Sequence, residues 1–569
     1  MNWISRTGRR WELRPAEEPV VDSIAHAHHL TPLAARVLAA RGLTAGTAGP
    51  FLDARSGVFH DPFLLLGMDR AVARIAAALA EHQHVRLVTD YDVDGTTSCL
   101  ILHAALDRRI AATASRATVS YHIPDRFTEG YGLSVRAVDA AIADGVQLLI
   151  TADIGVRDHV TVARARAGGV DVIVVDHHLP AGEAVPEAAH AVICPPQAGC
   201  PYPNKALAAC GVSLKLAQAL LDGDPRGPEV LWSMGKLAAI GTVADVVDLS
   251  TPENRAIVAR GLEALNAGRH GAGLAALIEV AGLSQTTMTA TDLGFRLGPR
   301  INAAGRLDDA TAVVRLLRAR EPEAALGQAR ALDVLNRARQ DIQERMVSRC
   351  LNAVADPAPA FVVVGFDESD DWHRGVAGVV AARVRDRLHR PCAVVTVVGE
   401  HAVGSVRSVP AIHAVHALDA VEDLLLRYGG HPVAAGFTLP ATSLAPFTAR
   451  LTDFVAAHGG DEALIPRDPV DAVVPARSVT PALVAELARL EPCGKGNPPA
   501  LLVLRGRVDG VRVIKERHLA FKVDGVDAMW WSGADRRALL DGADALLGTV
   551  GIETWQGRSS VRFTVNDVA

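Results

Sequence analysis

The sequence predicts an α/β protein that ends in a small β-barrel. Three short apolar runs, each closed by Asp, alternate with Ala-rich stretches of helical spacing between residues 85 and 176. Beyond residue 475 the pattern changes to short alternating strands. At 569 residues and 49% hydrophobic content, several cores are possible, about three or four domains at ~100 to 200 residues each.

The apolar runs VRLVTD (85–90), QLLITAD (147–153) and DVIVVD (171–176) have the continuous hydrophobicity of parallel strands covered on both faces. Between them, LSVRAVDAAIADG and VRDHVTVARARAGG carry helical spacing and stop at Gly, as helix C-termini do. Strand and helix in alternation predict a doubly wound parallel sheet in a first domain over 1–320. Ligands of such sheets collect beyond the carboxyl ends of the strands, and here those ends carry Asp. An Arg-rich, Pro-free stretch from Glu323 to Val354, with Gly327 its single glycine, predicts a connector helix over 321–355. A second α/β domain over 356–456 follows, with strand AFVVVGF (360–366), a helix over 375–388 and strand PCAVVTVV (391–398). Residues 456–475 turn to Gly, Asp and Pro and predict a linker. The runs LLVLRGRVDGVRVIKERHLAFKVDG and GTVGIETWQGRSSVRFTV then predict a barrel of the oligonucleotide-binding type within 457–569.

The net charge of -6, from 58 basic and 64 acidic residues, excludes a global basic footprint, so local charge must decide whether nucleic acid binds. Arg far outnumbers Lys among the basic residues. That suits bidentate phosphate contacts, and an Ala- and Arg-rich genome accounts for it equally well. The 7 cysteines are scattered, without a CxxC pair, which predicts a reducing compartment. With neither an apolar segment behind the N-terminal basic residues nor a membrane-length apolar run, a soluble cytoplasmic protein is expected.

DYDVDG sets Asp90, Asp92 and Asp94 at alternate positions directly after a strand. In extended backbone these side chains share a face. Three anions held together at a buried strand end repel one another unless a cation neutralises them. Taken alone, the segment reads equally as a turn with capping Asp residues. Asp153 ends the next strand, Asp176-His177-His178 ends the one after, and Asp245 lies in GTVADVVDL. Several acidic sites on one rim rarely arise for packing reasons. Carboxylates with one or two imidazoles suit Mn²⁺ or Mg²⁺ better than a thiol-rich zinc site. A carboxylate bridging two ions ~3.5 to 4 Å apart would suit in-line attack on a phosphodiester.

In order, DYDVDG, TADIG, DHH and GTVADVVDL resemble the motifs of the DHH phosphoesterase superfamily. IPDRFTEGYGL (123–133), RINAAGRLDDA (300–310), WHRGVAGVVAARV (372–384), GSVRS (404–408), GGHPVAAG (429–436) and PCGKGNPPA (492–500) resemble its RecJ family, over nearly the full length. The resemblance implies a two-metal exonuclease that degrades single-stranded DNA 5' to 3' into 5'-mononucleotides in DNA repair and recombination. It also implies single-stranded DNA as partner, with a single-strand-binding protein or helicase beside it and no membrane. Asp92 and Asp94 match the first-motif metal ligands, Asp153 the bridging carboxylate, and His177 and Asp245 the third- and fourth-motif ligands. Asp90 and Asp176 fall in the metal shell, and His178 faces the scissile phosphate. The sequence departs from the pattern at Ile154, where relatives carry Asn or Cys, and at Cys493, where Phe is common.

For the substrate, Arg300, Asn302 and Arg306 fall in one short loop with Gly305, where they would clamp phosphate oxygens. Arg126 adds a phosphate contact or is a solvated loop residue. His373 and Arg374, Ser405 and Arg407, and His431 behind Gly429-Gly430 each occupy a glycine-containing turn; by resemblance they bind the strand, with Ser405 and Arg407 on its 5'-terminal phosphate. In the barrel, Lys515, Arg517, His518, Phe521, Lys522, Trp530, Trp531 and Trp555 could stack bases and track phosphates, or form core. Two alternatives compete: a small-substrate DHH phosphodiesterase acting on oligoribonucleotides or cyclic dinucleotides, and an inactive scaffold, which would have lost its acidic ligands.

Overall fold

Strands His84–Thr89, Thr118–His122, Leu148–Ala152, Asp171–Val175 and Ala191–Ile193 pair in parallel in one sheet. The second of them flanks the first on one side, and the remaining three follow on the other. Chain direction across the sheet therefore reverses between His84–Thr89 and Leu148–Ala152, and a crevice opens beyond the strand ends at such a reversal. Side chains alternate between two cores as the pleat requires. Leu87, Ile150 and Ile173 pack with Ile101, Leu216 and Met234 of helices Val93–Thr113, Ala209–Leu220 and Gly227–Ala244. Val88, Leu149 and Val172 pack with Val138, Ala141, Val162 and Ala165 of helices Val135–Ala143 and His159–Ala167.

The structure, a computed structural model, describes residues 2–180, 182, 184–369, 371–555 and 558–569; the side chain of Trp555 lies outside the described part. The chain forms two units. One comprises Ala16–Asn336 with Thr480–Ala500 and contains the parallel sheet; the other comprises Met1–Pro15, Arg337–Val479 and Leu501–Ala569. The helix Pro322–Ala353 starts in the first unit and ends in the second, as a connector helix would. Thr480–Ala500 groups with the parallel-sheet unit although the sequence places it beside the barrel strands. Its helix Pro481–Ala488 is held there by Glu486, which accepts from the backbone N–H of Thr31 at 3.0 Å.

In the second unit, strands Arg427–His431, Ala434–Pro440, His401–Arg407, Cys392–Val398 and Val362–Asp367 form a mixed sheet in that order. Seven further strands, from Ala472–Pro475 to Arg558–Val568, make up a second sheet. The expected linker at 456–475 is partly strand. Arg467–Val470 pairs in parallel with Arg10–Leu13, and Ala472–Pro475 with Leu502–Arg505. An N-terminal partner explains this: Arg9 meets Asp468 at 2.6 Å and buried Trp11 donates to Asp567 at 3.0 Å, contacts that local composition cannot reveal. The cysteines are all free thiols, six of them buried. Among the described residues no helix is long and apolar enough to cross a membrane.

Candidate metal centre

The residue after each of three parallel strands extends the ladder by one bond: Asp90 N–H donates to Ala152, Asp153 N–H to Val175 and Asp176 N–H to Ile193. These bonds fix the start of the three strand-end acidic segments, whereas Asp245 caps the C-terminus of helix Gly227–Ala244. Asp92 then caps helix Val93–Thr113, its Oδ1 accepting from Asp94 N–H at 2.8 Å and Gly95 N–H at 3.1 Å. Only glycine fits at 95, because a Cβ there would lie 2.2 Å from the carbonyl oxygen of Asp90. Asp153 sits at φ 64°, a left-handed conformation that aims its carboxylate at the neighbouring motifs. His177 Nε2 lies 3.2 Å from Asp153 Oδ1 and 3.9 Å from Asp94 Oδ2, and its Nδ1 lies 3.8 Å from Asp245 Oδ2.

Among the described residues, ligand atoms within 4.8 Å of one another form three groups: Asp90, Asp92 and Asp153; Asp94, His177 and Asp245; and Asp153, His177 and His178. Asp153 and His177 each belong to two of them. Asp176 is in none of these three groups. Its Oδ1 accepts from the N–H groups of His177 and His178 and meets His178 Nδ1 at 2.8 Å, while its Oδ2 accepts from Val156 N–H at 2.9 Å. It orients the DHH turn. His178 also lies 3.2 Å from the hydroxyl of Tyr131, a residue that the sequence reading passed over.

Burial pushes the carboxyls of Asp90, Asp94, Asp153 and Asp245 above their usual range, Asp245 to about 8. Neighbouring carboxylates add to the effect, and His177 opposes it at Asp94 and Asp245. Burial would raise Asp176 as well, but its hydrogen bond and attraction to the imidazoles outweigh that and hold it at about 2. Burial disfavours a charged His177 ring, yet Asp245, Asp94 and Asp176 together hold its pKa above the usual value. Among the described residues, buried Asp90 Oδ1 has no hydrogen-bond partner, and buried His177 Nε2, although 3.2 Å from Asp153 Oδ1, makes no aligned hydrogen bond. Repelling carboxylates with an orphaned oxygen and imidazole nitrogen fit the donor set of hard divalent ions.

The ligands rest on a buried polar hub. Asp94 accepts from Ala209 and Cys210 N–H, both at 2.7 Å, at the N-terminus of helix Ala209–Leu220. In the first turn of helix Pro252–Asn266, Glu253, Asn254 and Arg255 are almost fully buried. Glu253 accepts from Tyr202 at 2.7 Å and pairs with buried Lys215 at 3.0 Å. Asn254 donates to the carbonyls of Ala206 at 2.7 Å and Asp248 at 2.9 Å, tying the approach to Ala209 to the turn after Asp245. Arg255 donates to the carbonyls of Phe51, Leu490, Glu491 and Pro492. From sequence, TPENR reads as an ordinary helix start, so the hub went unrecognised.

The chain matches three domain families: the DHH family, N-terminal domain, over residues 84–242; the DHHA1 domain over 358–457; and the RecJ OB domain over 470–567. It is 34% identical to the single-stranded-DNA-specific exonuclease RecJ of Bacillus subtilis over 98% of this chain and 71% of the relative. The chain belongs to the RecJ family. Among solved structures it is similar to RecJ from Thermus thermophilus in complex with Mn²⁺, with a TM-score of 0.83 at 30% identity over 98% of this chain and 79% of the other. For the complex of that protein with Mg²⁺ the TM-score is 0.77 at 29% identity, over 98% and 78%. Of the departures from the RecJ pattern, Ile154 packs in a core with Val88 and Leu133, and the Cys493 thiol lies 3.7 Å from the Leu490 carbonyl oxygen.

The substrate residues expected of a RecJ chain divide. Arg126 stacks 4.1 Å from the centre of the Tyr91 ring, and its charge reaches Asp90, so it belongs to the centre. Arg300, Asn302 and Arg306 lie on helix Gly298–Leu307, not in a loop. Gly305 lets that helix approach the first motif, since a Cβ there would sit 2.7 Å from the Tyr91 carbonyl oxygen, and Arg306 charge reaches Tyr91. Arg300 turns away to Asp333 at 2.9 Å, so the three do not act as one clamp. In the second unit Ser405 and Arg407 occupy strand His401–Arg407 and His431 ends strand Arg427–His431, so these positions are not turns. His373 caps the 3-10 turn Arg374–Val376, and Arg374 meets Glu368 at 3.6 Å. Phe521 and Trp530 are core, whereas Trp531 is exposed with His518 edge-on at 4.8 Å. Lys522 pairs with Asp527 at 3.4 Å, and Arg517 donates to Ser532.

Proposed function

We propose that this chain is a metal-dependent exonuclease that degrades single-stranded DNA 5' to 3' into 5'-mononucleotides, acting in DNA repair and recombination. The observation that carries this reading is the convergence of Asp90, Asp92, Asp94, Asp153, His177 and Asp245 at the switch of the parallel sheet, with Asp153 common to two ligand groups. Two Mn²⁺ or Mg²⁺ ions, when bound, supply an activated water and steady the leaving oxygen. Asp90, Asp92, Asp94, Asp153, His177 and Asp245 would hold them. Asp176 locks His178, half-buried at the mouth, toward the scissile phosphate. Arg126 and Arg306 provide positive charge beside the first motif.

In the second unit, Ser405 and Arg407 receive the 5'-phosphate, while His373, Arg374 and His431 contact the strand. Arg407 donates to Ser405 Oγ at 2.9 Å, and burial pushes its guanidinium down to about 10. Among the described residues it has no carboxylate partner, so a cation protonated at neutral pH stands ready for an anion. The same reading extends to a cytoplasmic setting and to a single-strand-binding protein or helicase as partner. Nothing in the fold or among the relatives favours the small-substrate alternative.

Time courses on 5'- and 3'-labelled single- and double-stranded DNA, with Mn²⁺, Mg²⁺ or chelator, test the activity. Release of mononucleotides from the 5' end of single strands, abolished by chelator, is expected. Equal attack on duplex, or no hydrolysis with either ion, would overturn the reading.

A further inference from the structure

The segment PCGKGNPPA at 492–500 plays no part in the reaction as set out above, yet much of the buried hub serves it. Arg255 binds the carbonyls of Leu490, Glu491 and Pro492, and Asn497 is buried, donating to Leu490 and Pro492 and accepting from Arg41 at 2.6 Å. Gly494 N–H donates to Asn497 and Asn497 N–H to Gly494, which closes a hairpin with Lys495 and Gly496 at its tip. The tip lies against the end of the fourth motif. Leu249 N–H donates to the Lys495 carbonyl at 2.8 Å. Gly496, at φ 75°, faces Asp248 so closely that a Cβ would fall 1.8 Å from its carboxylate oxygen. From Leu249 back to Asp245 is at most ~13 Å of extended chain.

A buried scaffold thus holds an exposed ammonium on the shoulder of a metal ligand. We propose that Lys495 contacts a backbone phosphate of the single strand bound at the metal centre, as a further substrate-positioning residue of the nuclease. The inference rests on the exonuclease reading. Its positive charge also reaches Asp245. A flexible, strongly hydrated ammonium suits a point contact to phosphate whatever the base sequence.

The test compares wild type, Lys495→Met and Lys495→Arg by kcat/KM on a single-stranded oligonucleotide between 50 and 200 mM salt, with Mn²⁺ half-saturation measured beside it. Loss of one phosphate contact makes the slope of log(kcat/KM) against log[salt] shallower by about 0.7. Lys495→Met is expected to show that change with about a fivefold loss at low salt, and Lys495→Arg to restore both. An unchanged salt slope in Lys495→Met overturns the proposal. So does a change confined to Mn²⁺ half-saturation, which would assign Lys495 to the charge balance of Asp245 alone. Failure of wild type to degrade the oligonucleotide would instead refute the exonuclease reading, so the two failures are distinguishable.

Discussion

The backbone N–H of Cys210 donates to Asp94 Oδ1 at 2.7 Å, and that of Ala209 donates to Oδ2 at the same distance. Both oxygens of one predicted metal ligand are thus set by a helix N-terminus, whose free N–H groups need acceptors in any case. Each oxygen keeps a lone pair for an ion. Asp94 therefore supports the fold as well as the chemistry. Asp94→Asn turns an NH₂ toward one of these donors and leaves it unsatisfied, so hydrolysis should disappear and stability should fall by about 1 to 3 kcal/mol. Urea unfolding midpoints with and without Mn²⁺ check this; a stability equal to wild type would remove the second role.

Asp153 is the contrasting case. Its buried carboxyl is pushed well above the usual range by burial and by Asp94, Asp92, Asp90 and Asp245. Asp153→Ala should abolish hydrolysis while retaining the fold and much of the DNA binding, because the carboxylate serves the ions. Mn²⁺ that binds only the native state raises the Tm of wild type. In Asp153→Ala that rise should shrink strongly. Wild-type turnover by a folded, metal-loaded variant would end the bridging assignment.

His177→Ala should weaken metal binding most visibly, because the imidazole takes part in two ligand groups. The Mn²⁺ concentration for half-maximal activity is expected to rise by at least about tenfold, with kcat reduced even at saturation. Activity titrated against free Mn²⁺ separates the two effects. Unchanged metal affinity would move His177 out of contact with the ions.

Three strands of the parallel sheet and the acids at their ends were legible in the sequence because both follow from local pattern, whereas the flanking strands Thr118–His122 and Ala191–Ile193 were not read. An apolar run closed by Asp specifies a buried strand and its functional end together, as at Asp90, Asp153 and Asp176. What escaped was set by distant partners. RINAAGRLDDA has the Gly and Asn of a loop, but Ile301 and Ala304 pack in the core with Leu297 and make it helical. The strand Arg467–Val470 depends on Arg10–Leu13, far away in sequence. Asp176 resembled the other strand-end acids in every local respect. Only the folded DHH turn shows its Oδ1 shared by the His177 and His178 N–H groups and the His178 ring.

The final prediction concerns Arg407 and the 5' end. Its guanidinium donates to Ser405 Oγ and to the Val406 carbonyl, and a Cβ on Gly378 would lie 2.9 Å from its Nη2. Gly378 belongs to the first turn of helix Ala377–Leu388, and a Cβ there would also lie 3.1 Å from Ser405 Oγ, so the guanidinium and the hydroxyl sit together against that turn. A terminal phosphate dianion offers more charge and more acceptors than an internal phosphodiester, and so depends more on this pair. Arg407→Ala should therefore reduce kcat/KM on 5'-phosphorylated single strands more than on 5'-hydroxyl strands. Loss of a charge-assisted contact costs about 1.5 to 3 kcal/mol, roughly a tenfold to hundredfold change. Matched oligonucleotides that differ only in the terminal phosphate give the comparison. An equal loss on both would make Arg407 a general backbone contact, and no loss on either would leave it a structural neighbour of Ser405.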